Sequence, residues 1–487
     1  MTSIPSRVRR GSVPGVVPGT LLALLVSATA LAQDAHYTTR QFGNRAWLLG
    51  GAFVGNPNDI SAVYYNPGAL ALLGAPELEL TGSVYEYTRL KVQDGQGEGK
   101  DLSDSNVDVL PSLIAGSLRF GFLGKSRMAY SLLTRQGFSY SLQSRGTRTG
   151  TDLAGVRGLD MLSTDVRLDQ TVSEFWTGVS WAYPVTEHLG LGLTPFVATR
   201  HHELRFQTQA QGSGAAGQQL LATLGRDLEF DHVRVLLKLG ASYQHGPWAL
   251  GLSVTTPSLA LWGRGSVGFE RAVQSQGVDT NAPAAVFDFQ EDLPAHFRNS
   301  WAAAFGVSRS FGDSTAVYAS VEGYARVSSI TLVDAQPIVP RDTTESIDGD
   351  YAFALKPVLN GALGVEQALG DRVRVYLSGH TDFSALEQTQ STNALVGGWD
   401  LYHAASGIHF VLGRSRFTLG GDLAWGNKQT TRFAETLQQL GLSTPMRAQD
   451  VHFFQATLLV GASFSFKGTR STSGKGSVEE APTADSP

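Results

Sequence analysis

From residue 77 to residue 466 the chain repeatedly alternates apolar and polar side chains with a period of two. In the stretch 416–425, for example, Phe417 and Leu419 fall on one face and Thr418 on the other. Alternation of this kind is typical of a β-strand with one apolar and one polar face. No apolar run long enough for a membrane-spanning helix, about 18 residues, interrupts it. The alternation therefore restricts the chain to an all-β fold.

Fourteen strands are predicted, and the connections between them alternate between short and long. The strands are expected near 77–91, 108–121, 127–143, 169–184, 188–209, 227–243, 247–268, 293–311, 314–333, 350–369, 372–387, 400–413, 416–429 and 449–466. The short joints follow the even-numbered strands at Gly124-Lys125, Thr186-Glu187, His245-Gly246, Gly312-Asp313, Gly370-Asp371 and Arg414-Ser415.

Short turns at one end and long loops at the other are typical of outer-membrane barrels with an even number of strands. Alternation alone also fits a soluble sandwich with one wet face, but closure into a barrel leaves no sheet edge exposed to lipid. We therefore predict an antiparallel transmembrane β-barrel of about 14 strands in the bacterial outer membrane. Its polar faces are expected to line the lumen. Aromatic residues expected at the membrane interfaces are Trp176, Trp181, Tyr183, Trp248, Phe311 and Tyr376.

Residues 1–32 have the features of a secretory signal peptide. A basic start precedes a short apolar run at 19–31, and Ala-Leu-Ala at 30–32 supplies the small-x-small cleavage pattern. Gln33 is the expected mature N-terminus. The chain has no cysteine, which suits export through an oxidising compartment and excludes disulfides and thiol nucleophiles.

The charge of the chain bears on its partners. Lysine and arginine number 38 against 43 aspartates and glutamates, a net charge of −5. A nucleic-acid partner is therefore not expected, because it requires a basic surface. The expected partners are a hydrophobic small molecule, outer-membrane lipids and, during biogenesis, the barrel-assembly machinery. The protein is expected to be a monomer.

The segment before the first strand does not alternate. Residues 33–74 are apolar and contain two Asn-Pro pairs, at 56–57 and 66–67, which interrupt regular structure. A barrel of about 14 strands has an interior wide enough to need filling or to conduct water. We therefore predict that 33–74 form a plug, or hatch, inside a barrel of residues 75–466. A polar tail at 467–487 is predicted to be disordered in the periplasm.

Two stretches of this segment resemble the hatch of the FadL family of outer-membrane transporters. They are Gly-Gly-Ala-Phe-Val-Gly at 50–55 and Asp-Ile-Ser-Ala-Val-Tyr-Tyr-Asn-Pro-Gly-Ala-Leu at 59–70. Members of that family take up long-chain fatty acids and other hydrophobic compounds through a 14-stranded barrel closed by a hatch. The family commonly has Asn-Pro-Ala where this chain has Asn-Pro-Gly, and it usually ends on the aromatic residue that corresponds to Phe466.

The resemblance implies a route of uptake. The ligand is captured at the external loops, passes the hatch, and leaves sideways through a wall gap beside a kinked third strand. Backbone groups at such a gap need polar partners, because each unpaired group costs several kcal/mol in lipid. We therefore expect Asn66, Pro67 and Gly68 to pack against the third strand, with Gly137 as the kink. Asp59 is assigned to the same gate.

The ligand contacts are less closely determined by the sequence. The residues expected to line an apolar pocket are Phe53, Tyr65, Leu70, Leu72 and Phe138. Arg119, Arg135 and Lys238 are candidates for binding a ligand carboxylate. A short amphipathic helix is predicted at 218–224, in an external loop where family members place helices around the entry groove.

No catalytic residue, cofactor or metal site is predicted. Gly-x-Gly-x-x-Gly at 212–217 lacks a βαβ context, and His201 and His202 point to opposite faces of a strand. No Gly-x-Ser-x-Gly elbow occurs. The chain is therefore predicted to be a transporter and not an enzyme. A general porin and an outer-membrane barrel lipase or acylase remain the alternatives.

Overall fold

The computed structural model describes residues 35–74, 77–95, 99–153, 156–277, 285–339, 346–347, 349–387, 398–430 and 449–465. The predicted signal peptide and polar tail, with Phe466, lie outside these ranges. Among the described residues, no helix is both long and apolar enough to cross a membrane.

Three short helical elements precede the strands. They are α1 (Asn44–Leu48), α2 (Ala62–Tyr65) and a 3₁₀ helix (Pro67–Leu72). The strands are β1 (Glu77–Val92), β2 (Leu102–Leu118), β3 (Arg127–Thr149), β4 (Met161–Pro184), β5 (Leu189–Ser213), β6 (Gln219–His245), β7 (Trp248–Thr255), β8 (Leu259–Gln276), β9 (Ala285–Pro294), β10 (Ala302–Phe311), β11 (Thr315–Tyr324), β12 (Val327–Thr331), β13 (Ala352–Leu355), β14 (Val358–Leu369), β15 (Val373–Asp382), β16 (Leu401–Leu412), β17 (Ser415–Thr430) and β18 (Gln449–Ser465). A further 3₁₀ turn, Gly121–Leu123, joins β2 to β3.

Fourteen of these strands form a closed antiparallel ring. Its order is β5, β4, β3, β2, β1, β18, β17, β16, β15, β14, β11, β10, β7 and β6, and pairing of β5 with β6 closes it. The predicted 14-stranded barrel is confirmed. Strands β8 and β9 extend from the far part of β6, and β12 pairs with β13 outside the ring.

Four predicted strands are each divided in two. The expected strand 247–268 is β7 followed by β8, and the break contains Pro257, which has no N–H for the ladder. Pro357 likewise separates β13 from β14. The expected strands 293–311 and 314–333 are also divided, the first beyond Pro294.

The outward and inward faces exchange polarity along the strands. On β6, the outward positions near the short turns are apolar, from Val233 to Tyr243, while those farther out include Asp227, Glu229 and Asp231. The buried inward positions farther out are apolar in turn, with Arg226 as an exception. We call the half of the barrel near the short turns the turn end, and the opposite half the loop end. The predicted polar lumen is therefore right only at the turn end.

The belt of outward apolar side chains carries aromatic residues at the turn end. Trp181, Tyr183 and Trp248 are exposed there, and so is Phe311. The prediction was wrong for Trp176 and Tyr376, which are buried on the inward face. Each was assigned by its place along the strand, whereas its alternation parity puts it in the lumen.

Residues 35–74, which we call the hatch, contact inward faces all around the ring. Helix α1 packs against β15 to β18, and the 3₁₀ helix packs against β4, β5 and β6. The hatch and the wall share one apolar core, which includes Phe53, Tyr64 and Trp176. These contacts place the hatch inside the barrel, at the turn end.

Glycines of the wall let the hatch backbone approach closely. A Cβ atom at Gly251 would lie 1.9 Å from the carbonyl oxygen of Val54, and one at Gly306 would lie 2.3 Å from the amide nitrogen of Gly55. A Cβ at Gly192 would lie 2.4 Å from the Pro67 carbonyl oxygen. Part of the glycine content of the chain, 55 residues, therefore serves backbone contact between hatch and wall.

We expect Gly251→Ala to displace the hatch, because its methyl group overlaps a backbone carbonyl that cannot turn aside. Overpacking of this kind costs about 1–3 kcal/mol. Ion conductance in planar bilayers should rise and the melting temperature should fall. Gly323→Ala is the matched control, because the nearest atom to its Cβ, on Leu359, lies 3.6 Å away. Equal conductance of the two variants would contradict the placement of the hatch.

Candidate functional site

The ladder between β2 and β3 is interrupted. Pairing joins Ser103 to Gln143 and resumes from Leu113 with Leu133. No ladder pair joins 104–112 to 134–142. The register is the same on both sides of the interruption, so the two strands bow apart and do not slip past each other.

Two local features cause the interruption. Pro111 has no N–H to donate to a ladder, and β3 has a bulge at Arg135, where the register to β4 shifts between Thr134 and Gln136. The Thr134 hydroxyl donates to the carbonyl of Pro111 at 2.6 Å. The predicted kink at Gly137 is wrong by two residues, since Gly137 keeps its regular pairing with β4.

Side chains bond to the backbone groups that the ladder leaves. The Asp104 carboxylate accepts the N–H of Ser141 at 3.0 Å. The Asn106 amide donates to the carbonyl of Ser139, also at 3.0 Å. Polar side chains thus replace ladder hydrogen bonds, which keeps the interrupted wall from exposing bare peptide groups.

Arg40 of the hatch fills the inner side of the interruption. Its guanidinium donates to the Gly137 carbonyl at 2.8 Å and to the Glu86 carboxylate at 2.6 Å. Gln455 also donates to Glu86, at 2.9 Å. The side chains of Arg40 and Glu86 are both largely buried. Arg40 thus connects the hatch to the interrupted part of the wall.

One carboxylate on β15 holds the start of the hatch. Asp382 accepts the N–H groups of Tyr37 and Thr38 at 3.1 and 3.0 Å, and the Thr39 hydroxyl at 2.5 Å. We call residues 36–40 the latch segment. Asp382 and Glu86 are its two carboxylate anchors on the wall.

A small apolar pocket lies beside the interruption. Aromatic and aliphatic side chains form most of its lining, and its free volume is about 10 Å³. Its lining includes Leu90, Phe138, Tyr140, Trp399 and Phe453, together with Asp104 and Asp108. The pocket continues into the apolar core of the loop end, which includes Leu142, Leu168, Phe206 and Phe230. We call this the loop-end core.

The outer surface at the interruption is apolar as well. Val107 and Val109 of β2 are more than half exposed, and Tyr85 of β1 is 57% exposed. An apolar pocket inside and an apolar surface outside are thus separated only by the stretch of wall that lacks ladder bonds.

Two buried arginines share one carboxylate at the base of the loop-end core. Glu174 accepts from Arg200 at 2.8 Å and from Arg234 at 2.5 Å. Both guanidinium groups lie over the ring of Phe297, at 4.2 and 4.7 Å. Gln136, next to the bulge, accepts from Arg200 at 2.9 Å. The three charged groups, which we call the arginine pair with Glu174, carry one net positive charge away from water.

Comparison with known proteins gives structural matches alone: no family model and no curated sequence matches the chain. A Pseudomonas aeruginosa FadL homologue superposes with a TM-score of 0.60 at 12% identity, covering 89% of this chain and all of the other. The Pseudomonas putida toluene transporter TodX gives 0.57 at 13% identity over 88% and 99% of the two chains. The chain has the FadL fold. The Ralstonia pickettii toluene transporter TbuX matches at 0.50 and 13% identity, over 91% and 100%.

A FadL fold with an outward apolar belt is a transmembrane barrel. Closed barrels of this type belong to the bacterial outer membrane, and the predicted location is confirmed. The predicted resemblance is likewise confirmed at the level of the fold. In this fold the interrupted ladder lies between β2 and β3, the second and third strands along the chain.

Asn66-Pro67-Gly68 is predicted to pack against the third strand, but its hydrogen bonds and closest backbone approaches are with β5 and β6. The Asn66 amide donates to the carbonyls of Val54 and of Ala241 on β6, at 3.2 and 2.9 Å. A Cβ at Gly68 would lie 2.6 Å from the Gly240 carbonyl oxygen. The predicted pairing with Gly137 is wrong, because Arg40 bonds to Gly137 instead.

The other hatch residues assigned from the sequence have mainly packing roles. Asp59 accepts the N–H and the hydroxyl of Ser61 at the start of α2. Phe53 is fully buried, 6.0 Å from the ring of Tyr65, and Leu70 is also buried. Leu72 is half-buried at the end of the 3₁₀ helix. None of these four lines the apolar pocket, whereas Phe138 does.

Tyr65 and Tyr64 line a second cavity between hatch and wall, together with Gln41 and His380. The Tyr65 hydroxyl donates to Gln41 at 2.8 Å and accepts the N–H of Phe42 at 3.0 Å. Burial raises the pKa of Tyr64 to about 12 and that of Tyr65 well above its usual value. Both hydroxyls are therefore neutral donors at any physiological pH.

An ion pair fixes α1 to the wall. Arg45 donates to Glu366 of β14 and, at 3.2 Å, to the hydroxyl of Tyr318. Burial works against the charged guanidinium, but Glu366, together with Tyr376, Tyr318 and Asp59, outweighs it and holds the pKa of Arg45 well above its usual value. Arg45 stays charged, so the pair persists across the physiological pH range.

The three basic candidates lie away from the loop-end core. Arg119 is exposed at a short turn, Arg135 lies over Trp176 at 5.7 Å, and Lys238 lies over Tyr64 at 4.4 Å. Sequence reasoning missed Arg200 and Arg234. The signal for Arg200 was an inward arginine opposite inward Glu174 on the neighbouring strand. Arg234 lies opposite Ala198 and gave no such signal.

The predicted helix at 218–224 is wrong. Residues from Gln219 onward form the start of β6, which pairs with both β5 and β8 there. Its apolar residues Leu220, Ala222 and Leu224 are the inward, buried set of a strand. The stretch 218–224 fits the period of a helix as well as that of a strand. Its pairing with β5 and β8 makes it a strand.

Asp382→Ala is expected to free the latch segment, because it removes the acceptor of two backbone N–H groups. Hydrogen bonds to charged groups are worth about 1.5–3 kcal/mol, so exchange of the Tyr37 and Thr38 amides should accelerate about 10-fold or more in hydrogen–deuterium exchange. Asp400→Ala is the control, since Asp400 accepts only the Ser384 amide among the described contacts. Unchanged protection in Asp382→Ala would refute the anchoring role.

Proposed function

We propose that this protein takes up hydrophobic compounds across the outer membrane and releases them sideways into the membrane. The compound enters at the loop end, passes along the loop-end core to the apolar pocket, and leaves between β2 and β3. The observation that carries the proposal is the interrupted ladder, which has an apolar pocket on its inner side and an apolar surface on its outer side.

Sideways release follows from the cost of exposing an oily molecule to water. Each methylene group transferred into water costs about 0.8 kcal/mol, so a chain of about sixteen carbons would lose on the order of 10 kcal/mol in the periplasm. A route from an apolar pocket through the wall into lipid avoids that step. A polar, open lumen would not, and the hatch occupies the turn end where such a channel would run.

The latch segment is the part of the hatch that acts as a gate in this proposal. Arg40 donates to the Gly137 carbonyl inside the interruption, and Asp382 holds the three residues before it. Movement of residues 36–40 would withdraw the guanidinium and open the inner side of the gap. Asn66 would then hold the rest of the hatch to β6 while the gate moves.

The proposal requires that β2 and β3 separate during transport. The chain has no cysteine, so a pair of introduced thiols reacts alone. We expect that cross-linking Val107→Cys to Ser139→Cys with a short reducible reagent stops uptake of a radiolabelled fatty acid, and that reduction restores it. The pair lies inside the interruption, in the register that its two flanks share.

Ile114→Cys with Leu132→Cys is the matched control, because these residues are partners in the intact part of the same ladder. Cross-linking the control pair should leave uptake unchanged. Normal uptake with the first pair fully cross-linked would rule out exit between β2 and β3. Absence of uptake in the unmodified protein would instead refute the transport proposal itself.

The arginine pair with Glu174 favours an acidic ligand, because its net positive charge lies at the base of an apolar core. We propose a fatty acid or similar amphiphilic carboxylate as the substrate class. The toluene transporters of the same fold carry neutral ligands by their names, so an aromatic hydrocarbon is the alternative substrate. Outer-membrane lipids receive the ligand in either case. The monomeric state and the barrel-assembly partner stay predictions.

Arg234→Gln should therefore lower fatty-acid uptake by about 10-fold, one charge-assisted contact of about 1.4 kcal/mol or more, and leave uptake of toluene unchanged. Competition assays in whole cells measure both. Arg226→Gln is the control, because Arg226 is another buried inward arginine of β6, stacked on Phe269 and not bonded to Glu174. An equal loss for both ligands would show a structural defect and no carboxylate recognition.

A further inference from the structure

Two histidines and one aspartate from three neighbouring strands meet on the inward wall beside the latch segment. His380 lies on β15, His403 on β16 and Asp422 on β17, and one ligating atom of each lies within 4.8 Å of those of the others. All three side chains are buried. The proposed transport route does not use them.

One polar atom of each residue lacks a hydrogen-bond partner among the described parts of the chain. These atoms are Nδ1 of His380, Nε2 of His403 and Oδ2 of Asp422. Burying a polar group without a partner costs about 1–3 kcal/mol, and native proteins rarely gather several such groups in one place. The hydrogen bonds within the described chain therefore leave this cluster incompletely satisfied, which indicates a further binding partner there.

The contacts of the His380 and His403 rings determine which of their nitrogens can bind an ion. Nε2 of His380 faces the carbonyl of Thr38 at 3.1 Å and donates to it, which leaves Nδ1 unprotonated. The Gln41 amide, 3.4 Å from the same nitrogen, itself donates to that carbonyl at 2.8 Å. Nδ1 of His403 lies 3.0 Å from Oδ1 of Asp422, a separation that suits two ligands of one ion, which would take the place of the proton between them. Metal-binding histidines are commonly fixed by such contacts.

The charge around the cluster is negative. Three buried carboxylates, Asp382, Asp422 and Glu86, act on the two imidazoles, and Arg40 is bonded to one of them. Counted without the imidazoles, among them His36 at 3.4 Å from Asp382, these groups carry a formal charge of −2. A buried excess of negative charge needs a counter-charge, and a divalent cation supplies it.

We propose that His380, His403 and Asp422 bind a divalent first-row transition-metal ion such as Zn²⁺. Imidazole nitrogen with one carboxylate oxygen is a donor set that these ions prefer, whereas Mg²⁺ and Ca²⁺ prefer oxygen ligands. The two rings stack with centroids 4.1 Å apart at an interplanar angle of 15°. One imidazole therefore turns about its χ2 angle when both nitrogens bind the same ion.

The ion would also stabilise the latch segment. Binding at Nδ1 fixes the ring of His380, whose Nε2–H holds the Thr38 carbonyl, two residues before Arg40. This consequence rests on the proposed gate, whereas metal binding itself does not. Sequence spacing gave no sign of the site, because residues 380, 403 and 422 meet only through strand pairing.

The test uses the full mature chain in detergent, purified without a polyhistidine tag. Equilibration with Co²⁺ should give the visible absorption bands of a tetrahedral or five-coordinate site, and equilibration with Zn²⁺ followed by gel filtration should retain about one ion per chain. His403→Gln and Asp422→Asn should each weaken Zn²⁺ binding at least 10-fold. Zn²⁺ should raise the melting temperature of the wild type and not of the two variants.

Two control variants separate this site from other histidines. His202→Gln removes a buried histidine of β5 that bonds to Gln170. His245→Gln removes an exposed ring at a short turn, 5.1 Å from that of His188. Both should keep the Co²⁺ bands. Loss of the bands in His245→Gln, or retention of Zn²⁺ in His403→Gln and Asp422→Asn, would overturn the proposal, as would no retained metal in the wild type.

Discussion

The structure depends on the need of every peptide group in a barrel wall to find a hydrogen-bond partner. Fourteen strands meet it by closing a ring. Where β2 and β3 separate, Asp104, Asn106 and Thr134 supply the missing partners from side chains, and Arg40 supplies one from the hatch. Side-chain bonds can be exchanged one at a time, whereas ladder bonds act together. The interruption is therefore the part of the wall that can change with the least loss of structure.

The same strand, with the same period-two pattern, faces lipid at the turn end and water at the loop end. At the turn end, apolar residues such as Leu239 face lipid and polar or small ones face the hatch. At the loop end the assignment is reversed, because the outer face meets water and the interior is a packed apolar core. The buried charges Glu174, Arg200 and Arg234 lie where the two regimes meet, next to the bulge at Arg135. The exchange of polarity thus brings the apolar loop-end core down to the level of the interrupted ladder between β2 and β3.

Strand number, strand order and the short turns could be predicted from the sequence, because alternation and turn residues are local signals. Parity errors arose where position along a strand was used in place of the face, as for Trp176. The contacts of Asn66 could not be predicted, since they depend on which strand the hatch meets inside the ring. The arginine pair and the His380–His403 cluster were missed for the same reason. Each is assembled across consecutive strands, and only the pairing register decides which of their inward side chains meet.

The strands of the loop end continue well beyond the apolar belt. On β5 the last strongly exposed apolar residue is Val197, and the strand runs on to Ser213. Residues 199–213 extend about 46 Å along the strand, or about 35 Å above the bilayer at a tilt of about 40°. The mouth of the molecule therefore stands well beyond the level of the lipid headgroups. A hydrophobic solute that arrives from outside the cell would therefore meet the ends of these strands before it meets the membrane.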